Sequence, residues 1–151
     1  MTTDPRLTAG EPPILSHEER CRDCQACALA CSLDHEGGCG PSLARLMILK
    51  DMASYRFRIV LCRHCPDPAC LAACPSGALV MDPRGVALLD DDACIRCGAC
   101  ADACPYEAIA YHAASDRYLK CDLCADRDDG PLCVRVCPVG ALALAQPEQE
   151  A

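Results

Sequence analysis

Apolar residues in this chain gather in short runs punctuated by turn residues, and the pattern predicts hairpins in preference to long helices. Leu79-Val80-Met81 and Val86-Ala87-Leu88-Leu89 flank Asp82-Pro83-Arg84-Gly85, a turn signal, so a β-hairpin is expected there. A second pair of strands is expected at Leu43–Lys50 and Arg56–Leu61, where Val, Ile, Phe and Leu collect ahead of Cys62. One phrase recurs three times: Cys74-Pro-Ser-Gly-Ala-Leu-Val-Met, Cys104-Pro-Tyr-Glu-Ala-Ile-Ala-Tyr and Cys137-Pro-Val-Gly-Ala-Leu-Ala-Leu. Proline there ends a helical turn, and the small and apolar residues after it read as the start of a strand. Short helices are predicted after the third cysteine of each cysteine group, at segments such as Ala28–Ala30 and Leu71–Ala73 where alanine and leucine dominate. The ends, Met1–Glu11 and Gln146–Ala151, read as mobile.

Composition changes the meaning of that pattern. Hydrophobic residues make up 52% of the 151, but 17 of them are cysteines and only five are aromatic. Few large side chains are left for a core that would normally rest on about 25 cal/mol per Å² of buried apolar area. Something other than apolar burial has to hold the chain together. The net charge is −8, and residues 76–151 hold 13 acidic against six basic side chains. No basic patch is present, which argues against a nucleic-acid partner. No apolar stretch approaches the roughly 20 residues of a membrane span. Met1 to Arg20 shows neither a hydrophobic export segment nor a twin-arginine pair, so a reducing, cytoplasmic setting is expected.

Sixteen of the 17 cysteines fall into four groups of four. They are Cys21, Cys24, Cys27 and Cys31; Cys62, Cys65, Cys70 and Cys74; Cys94, Cys97, Cys100 and Cys104; and Cys121, Cys124, Cys133 and Cys137. The third group has the spacing C-x2-C-x2-C-x3-C-P familiar from iron–sulfur sites in two-cluster ferredoxins. A disulfide scaffold fits poorly, since the cysteine number is odd and C-x2-C pairs repeat regularly. Tetrahedral zinc would use two separated pairs, not three thiols within seven residues. The spacing therefore points to four [4Fe–4S] clusters, each fixing four points of the chain as a structural metal does. Oxidised cubanes of charge about −2 would bring the holo-protein near −16, which favours basic docking surfaces on partners.

In two-cluster ferredoxins the last cysteine of each run ligates the other run's cluster. Applied to the middle groups, that exchange gives Cys62, Cys65, Cys70 and Cys104 for one site, and Cys94, Cys97, Cys100 and Cys74 for its neighbour. Applied to the outer groups, it gives Cys21, Cys24, Cys27 and Cys137, and Cys121, Cys124, Cys133 and Cys31. An inner module then lies inside an outer one. A tandem exchange, first group with second, is the alternative that spacing leaves open. Loops within the second group (Pro66 to Ala69) and the fourth (Ala125 to Leu132) are candidate partner contacts. Cys39, in a glycine-rich turn, reads as a free thiol. His64, inside the Cys62–Cys65 pair, reads as a neighbour of sulfur rather than a ligand. His17, His35 and His112 have no ligand spacing.

The segments Cys62-Arg-His-Cys-Pro-Asp-Pro-Ala-Cys70 and Cys121-Asp-Leu-Cys124, with the Cys-Pro-x-Gly-Ala phrases, resemble the four-cluster ferredoxin subunits of multi-subunit oxidoreductases over about residues 15–145. The resemblance implies an α+β fold of two nested bacterial-ferredoxin-like modules, with short β-hairpins and short helices around four cubane clusters. The modules would be an outer one from residues 15–50 and 112–145 and an inner one from 51–111, with 1–14 and 146–151 as terminal segments. It also implies the nested ligand exchange. The compact length and Cys31-Ser-Leu-Asp-His-Glu-Gly look most like the branch serving carbon monoxide dehydrogenases, hydrogenases and aldehyde oxidoreductases, and within it the small subunit of a tungsten aldehyde oxidoreductase. The partners implied are a catalytic W, Mo or Ni subunit, a flavin-containing or quinone-linked subunit at the other end, and higher-order assemblies.

No nucleotide-binding glycine loop and no nucleophile–base pair accompany the cysteines. The expected role is electron transfer without catalysis: closed, four-thiolate sites passing one electron at a time to or from a catalytic partner. A free polyferredoxin diffusing between enzymes is the alternative, as is a carbon monoxide dehydrogenase, hydrogenase or formate dehydrogenase as the complex served.

Overall fold

The computed structural model describes residues 12–145. The expected mobile ends, Met1–Glu11 and Gln146–Ala151, lie outside the described residues. Twelve short elements follow one another: β1 (Ile14–Ser16), α1 (Ala26–Glu36), β2 (Met47–Asp51), β3 (Arg56–Val60), α2 (Ala69–Ala73), β4 (Leu79–Met81), β5 (Ala87–Leu89), α3 (Ala99–Ala103), β6 (Ile109–His112), β7 (Arg117–Lys120), α4 (Leu132–Val136) and β8 (Leu142–Leu144). The result is a small mixed helix–strand fold. Among these elements no helix is long and apolar enough to cross a membrane.

Every sheet has two antiparallel strands. Three are hairpins: β2–β3, β4–β5 and β6–β7. The fourth pairs the first strand with the last, Ile14 opposite Leu144 and Ser16 opposite Leu142. An isolated two-stranded ribbon is marginal in water, so each must be held by what it packs on. The β4–β5 turn is held by Asp82, whose Oδ1 accepts from the N–H groups of Arg84 (2.9 Å) and Val86 (2.8 Å).

The strands after Cys74, Cys104 and Cys137 lie where the repeated phrase places them. The helices differ from expectation in an instructive way. Each begins just before the third cysteine of its group, not after it. Three of them stop at the fourth cysteine: Cys74, Cys104 and Cys137 sit at the C-cap with ψ of 111°, 112° and 110°. Proline follows each, and a residue before proline is driven out of the helical region. Cys31 is followed by Ser32 instead, so α1 runs on to Glu36 and ends at Gly37, whose φ is +66 and whose N–H donates to the Leu33 carbonyl at 3.1 Å. The expected strand Leu43–Lys50 starts later, at Met47, because Pro41–Leu43 forms a 3-10 turn.

Helix α1 packs on α4, and α2 on α3. The main core joins Ile14, Ala28, Leu46, Ile59, Val86, Leu123 and Leu142 to the thiols of Cys21, Cys27, Cys31 and Cys133. A smaller core gathers Leu79, Cys100 and Ile109. Thiols are thus part of the packed interior, as the shortage of large apolar residues requires.

Candidate metal centres

Each group opens with a C-x-x-C turn of the same backbone shape. The second residue between the cysteines has positive φ in all four: Asp23 (54°), His64 (47°), Arg96 (60°) and Leu123 (59°). A left-handed residue here turns successive N–H groups toward one point, which forms the backbone concavity that accepts anions and iron–sulfur groups. Sulfur accepts some of these donors, His64 N–H to Cys62 Sγ at 3.5 Å and Leu123 N–H to Cys121 Sγ at 3.4 Å. The Cys-Pro phrases repeat the device at Gly77, Glu107 and Gly140, again with positive φ. There Ala108 N–H reaches Cys104 Sγ at 3.5 Å and Ala141 N–H reaches Cys137 Sγ at 3.2 Å. Cys31, without that phrase, accepts from Arg45 N–H at 3.3 Å.

Thiols from different groups lie near one another. Burial pushes Cys27 up to about 11, and the neighbouring thiols of Cys137, Cys21 and Cys24 push the same way. Burial raises Cys133 to about 12, with Cys124, Cys31 and Cys27 adding to it. Cys31 rises to about 11, through burial and then Cys124. Cys65 and Cys70 are both raised by burial and by Cys62 and Cys104. Cys100 is raised by burial, then by Cys94 and Cys74. Cys97 lies with Cys94 and Cys100 beside Tyr118, whose hydroxyl is raised first by burial and then by nearby charges that include these thiols.

Two of the quartets line cavities. One is walled by Cys31, Cys121, Cys124 and Cys133 with Leu46 and Leu123. Another is walled by Cys62, Cys65, Cys70 and Cys104 with Tyr106 and Ile109. Four thiols gathered around one small space, with backbone N–H groups aimed at sulfur, form a ligand set. A polynuclear iron–sulfur group, which takes four thiolates and accepts backbone N–H bonds at sulfur, fits both the donor set and the turns.

The thiols differ in their local fields. Cys74 is held down at about 7, chiefly by the Ser76 hydroxyl and then the Leu79 N–H. Burial pushes Cys137 up, but the N–H groups of Val139, Ala141 and Leu142 outweigh it and leave it below the ordinary value. Exposure is also graded. Cys31, Cys121, Cys124 and Cys133 are all buried, whereas Cys24 and Cys97 are exposed.

Cys39 is exposed, with its sulfur 4.0 Å from the Leu29 carbonyl. His64 is 4% exposed, and its Nδ1 accepts from Ala87 N–H at 3.1 Å. His35 has more to do than its sequence position indicates: Nε2 lies 3.6 Å from Cys124 Sγ and 3.5 Å from Asp122 Oδ1. The signal was its place four residues after Cys31, which counts only once α1 is known to continue past Ala30. Lys120, 4% exposed, was also missed, because a lysine before a cysteine carries no spacing signal.

Residues 53–147 match the family described as a 4Fe–4S dicluster domain, and residues 18–34 match a 4Fe–4S binding domain. The chain belongs to the 4Fe–4S dicluster family. Relatives in that family include the thiosulfate reductase electron transfer subunit PhsB of Salmonella typhi, 34% identical over 88% of this chain and 74% of its own length. The B subunit of the anaerobic dimethyl sulfoxide reductase of Haemophilus influenzae is 33% identical, over 84% of this chain and 70% of its own length. The polyferredoxin-like subunit of an aliphatic sulfonate oxidoreductase from Pyrococcus furiosus is 34% identical over 82% and 70%. In fold, the protein is similar to a component of the active site complex BamBC of benzoyl coenzyme A reductase with benzoyl-CoA, with a TM-score of 0.52, 23% identity, and coverage of 87% and 77%. This dicluster-family member is an iron–sulfur electron-transfer subunit of an oxidoreductase complex; it carries four [4Fe–4S] clusters and leaves catalysis to partner subunits.

Proposed function

We propose that the chain is a one-electron wire between a catalytic oxidoreductase subunit and a second redox partner. Its four sites would be the nested quartets: Cys21, Cys24, Cys27 and Cys137; Cys121, Cys124, Cys133 and Cys31; Cys62, Cys65, Cys70 and Cys104; and Cys94, Cys97, Cys100 and Cys74. The observation that carries this reading is the mixing of thiols across groups, Cys137 beside Cys27 and Cys104 beside Cys65 and Cys70. The order just given is the order along the wire. Each helix places its third and fourth cysteines at i and i+4 on one face, so α1 and α4 join the first two sites and α2 and α3 the last two. The middle link is Cys121, which has Cys62 for a neighbour. The terminal sites are those with an exposed thiol, Cys24 at one end and Cys97 at the other. A wire requires two accessible ends.

The modules that follow are an outer one, residues 15–50 with 112–145, and an inner one, 51–111. The β1–β8 pairing and the packing of α1 on α4 favour this division, and hairpins β2–β3 and β6–β7 bridge it. The group itself supplies reversible one-electron storage. The chain's own part is to hold sulfur with N–H donors, to bury the site of Cys31, Cys121, Cys124 and Cys133, and to present the ends.

The catalytic partner proposed is a tungsten aldehyde oxidoreductase in the cytoplasm, on the compact length and the Cys31-Ser-Leu-Asp-His-Glu-Gly segment, with a flavin-containing or quinone-linked subunit at the far end. The relatives support a second reading, a catalytic partner acting on a sulfur–oxygen compound, since those named above belong to thiosulfate, dimethyl sulfoxide and aliphatic sulfonate enzymes. Purification of the native complex, with W, Mo and Ni analysis and assays against an aldehyde and against those sulfur compounds, decides between them. Recovery as a monomer that donates electrons to several enzymes would reject the fixed wire in favour of a free polyferredoxin.

A further inference from the structure

We propose that Lys120 is the shared counter-charge of the two central clusters, which makes it a positioning residue for their reduction potentials. The inference rests on the quartets proposed above. Among the described residues Lys120 is the only buried side chain of its charge, at 4% exposure. Its ammonium donates to the carbonyls of Ala87 (2.5 Å) and Cys121 (3.0 Å), both neutral. No ion pair within 4.0 Å reaches it among the described residues. Asp91, Asp122 and Asp126 line the same cavity, but Arg45 takes Asp122 at 2.7 Å, Arg117 takes Asp91 at 3.0 Å, and Asp126 is exposed and makes no ion pair with Lys120 within 4.0 Å.

A buried cation without a paired anion is costly, and proteins rarely keep one. The negative charge that Lys120 lacks must therefore come from something the folded chain holds. Its neighbours identify the source. One of its two acceptors, Ala87, walls the space shared by Cys62, Cys65, Cys70 and Cys104. The other, Cys121, walls the space it shares with Cys31, Cys124 and Cys133. The first set of thiols is one central quartet and the second is the other. Lys120 thus puts one positive charge at the junction of two sites, each of which becomes one unit more negative on taking up an electron. No bond or proton moves in that step. A positive charge there favours the reduced form at both sites, and it offsets the repulsion between two reduced neighbours. Electrons would then dwell in the middle of the wire instead of at its ends.

The test is an anaerobic redox titration followed by electron paramagnetic resonance, on wild type, Lys120→Met and Lys120→Arg, with iron counted in each. The terminal signals are assigned beforehand as those altered by Cys24→Ser and Cys97→Ser. Lys120→Met should make the two central midpoints more negative by about tenfold in the reduction equilibrium, about 59 mV for one electron, and leave the terminal ones in place. Lys120→Arg should restore most of the shift. Loss of about half the iron in Lys120→Met with both terminal signals kept would also support the proposal. Unmoved central midpoints at full iron content, or an equal shift of all four, would overturn it. So would loss of all four clusters together, which would assign the residue to the fold. A wild-type count near eight iron instead of about 16 overturns the four-cluster reading and this inference with it; a full count with unmoved midpoints overturns this inference alone.

Discussion

Gly98→Ala should damage the third cysteine group far more than the loss of one hydrogen implies, and Tyr118→Phe should repair part of the damage. Gly98 lies between Cys97 and Cys100 at the start of α3, with φ of 82° and ψ of −7°. An L-residue there costs about 1–2 kcal/mol for the left-handed backbone alone. A Cβ would also stand 2.8 Å from the Tyr118 hydroxyl oxygen, with the next ring atom at 3.8 Å. Tyr118 cannot simply swing away, because its ring rests on Tyr111 with centroids 5.1 Å apart and joins the smaller core. Forced overpacking of this kind costs about 1–3 kcal/mol. The sum, about 2–5 kcal/mol, lowers the melting midpoint by roughly 4–20 °C at about 2–4 °C per kcal/mol for a chain this long. In Gly98→Ala/Tyr118→Phe the oxygen is gone and only the 3.8 Å contact remains, so the loss should fall to the backbone part. The assay is thermal bleaching of the visible cluster absorbance in the four proteins of the cycle. A coupling of about 1–3 kcal/mol supports the argument; additivity, or a neutral Gly98→Ala, refutes it.

Cys31→Ser should disturb the site of Cys121, Cys124 and Cys133, lowering iron by about four atoms, and leave the Cys62, Cys65 and Cys70 site intact; damage to the latter would establish the tandem exchange. Cys39→Ser should leave the iron count unchanged. Asp82→Ala should cost about 2–3 kcal/mol, since one carboxylate holds two turn N–H groups and the Arg84 guanidinium at 2.8 Å. Burial pushes the Asp82 carboxyl up, but the Val86 and Arg84 donors outweigh it and hold it below 3.8. A depressed carboxyl contributes its full stability above the unfolded value and loses it only as pH falls through the folded one. The gap between wild type and Asp82→Ala should therefore be flat from pH 5 to 8, and denaturant midpoints across that range check it. Chelating the iron should abolish most of the circular dichroism signal; an unchanged spectrum would contradict a cluster-built core.

The elements that sequence reveals here are those whose cause is local. The turn at Asp82 to Gly85 and the strands behind each Cys-Pro come from residues a few positions apart. Helix lengths were legible in principle as well, because proline after Cys74, Cys104 and Cys137 stops three helices and Ser32 lets the other continue. Strand β1 was not. Ile14-Leu15-Ser16 is too short to show a period, and its partner Leu142–Leu144 lies at the far end of the chain. Spacing named the cysteines but left their pairing between groups open, since a C-x2-C run looks the same whichever cluster its last thiol serves. Lys120 and His35 were hidden for a related reason: each acts on a thiol of a distant segment, as His35 does on Cys124 across α1 and the fourth group.

The four left-handed residues in the C-x-x-C turns join these observations. Asp23, His64, Arg96 and Leu123 share one backbone conformation and nothing in their chemistry. Conformational preference cannot have selected them, since only the short polar aspartate takes this region with any ease. Each is explained by its side chain. Asp23 holds Lys50 at 2.6 Å, His64 accepts from Ala87, Arg96 reaches the Asp116 carbonyl at 2.5 Å, and Leu123 fills the main core at 0% exposure. His64, Arg96 and Leu123 alone carry strain of about 1–2 kcal/mol apiece, or about 3–6 kcal/mol together. That is comparable with the whole stability of an ordinary domain, about 5–15 kcal/mol. The strain persists because the turns it builds aim N–H groups at a common anionic centre, and binding that centre offsets it. Take the centre away and the same turns become a liability in a chain with few large apolar residues to resist it. The collapse expected on chelation therefore begins in the four C-x-x-C turns. Replacing Arg96 with glycine, which relieves strain at an exposed turn, should slow iron loss from the Cys94, Cys97 and Cys100 site; faster loss would show that the Arg96 contact to Asp116 outweighs the backbone.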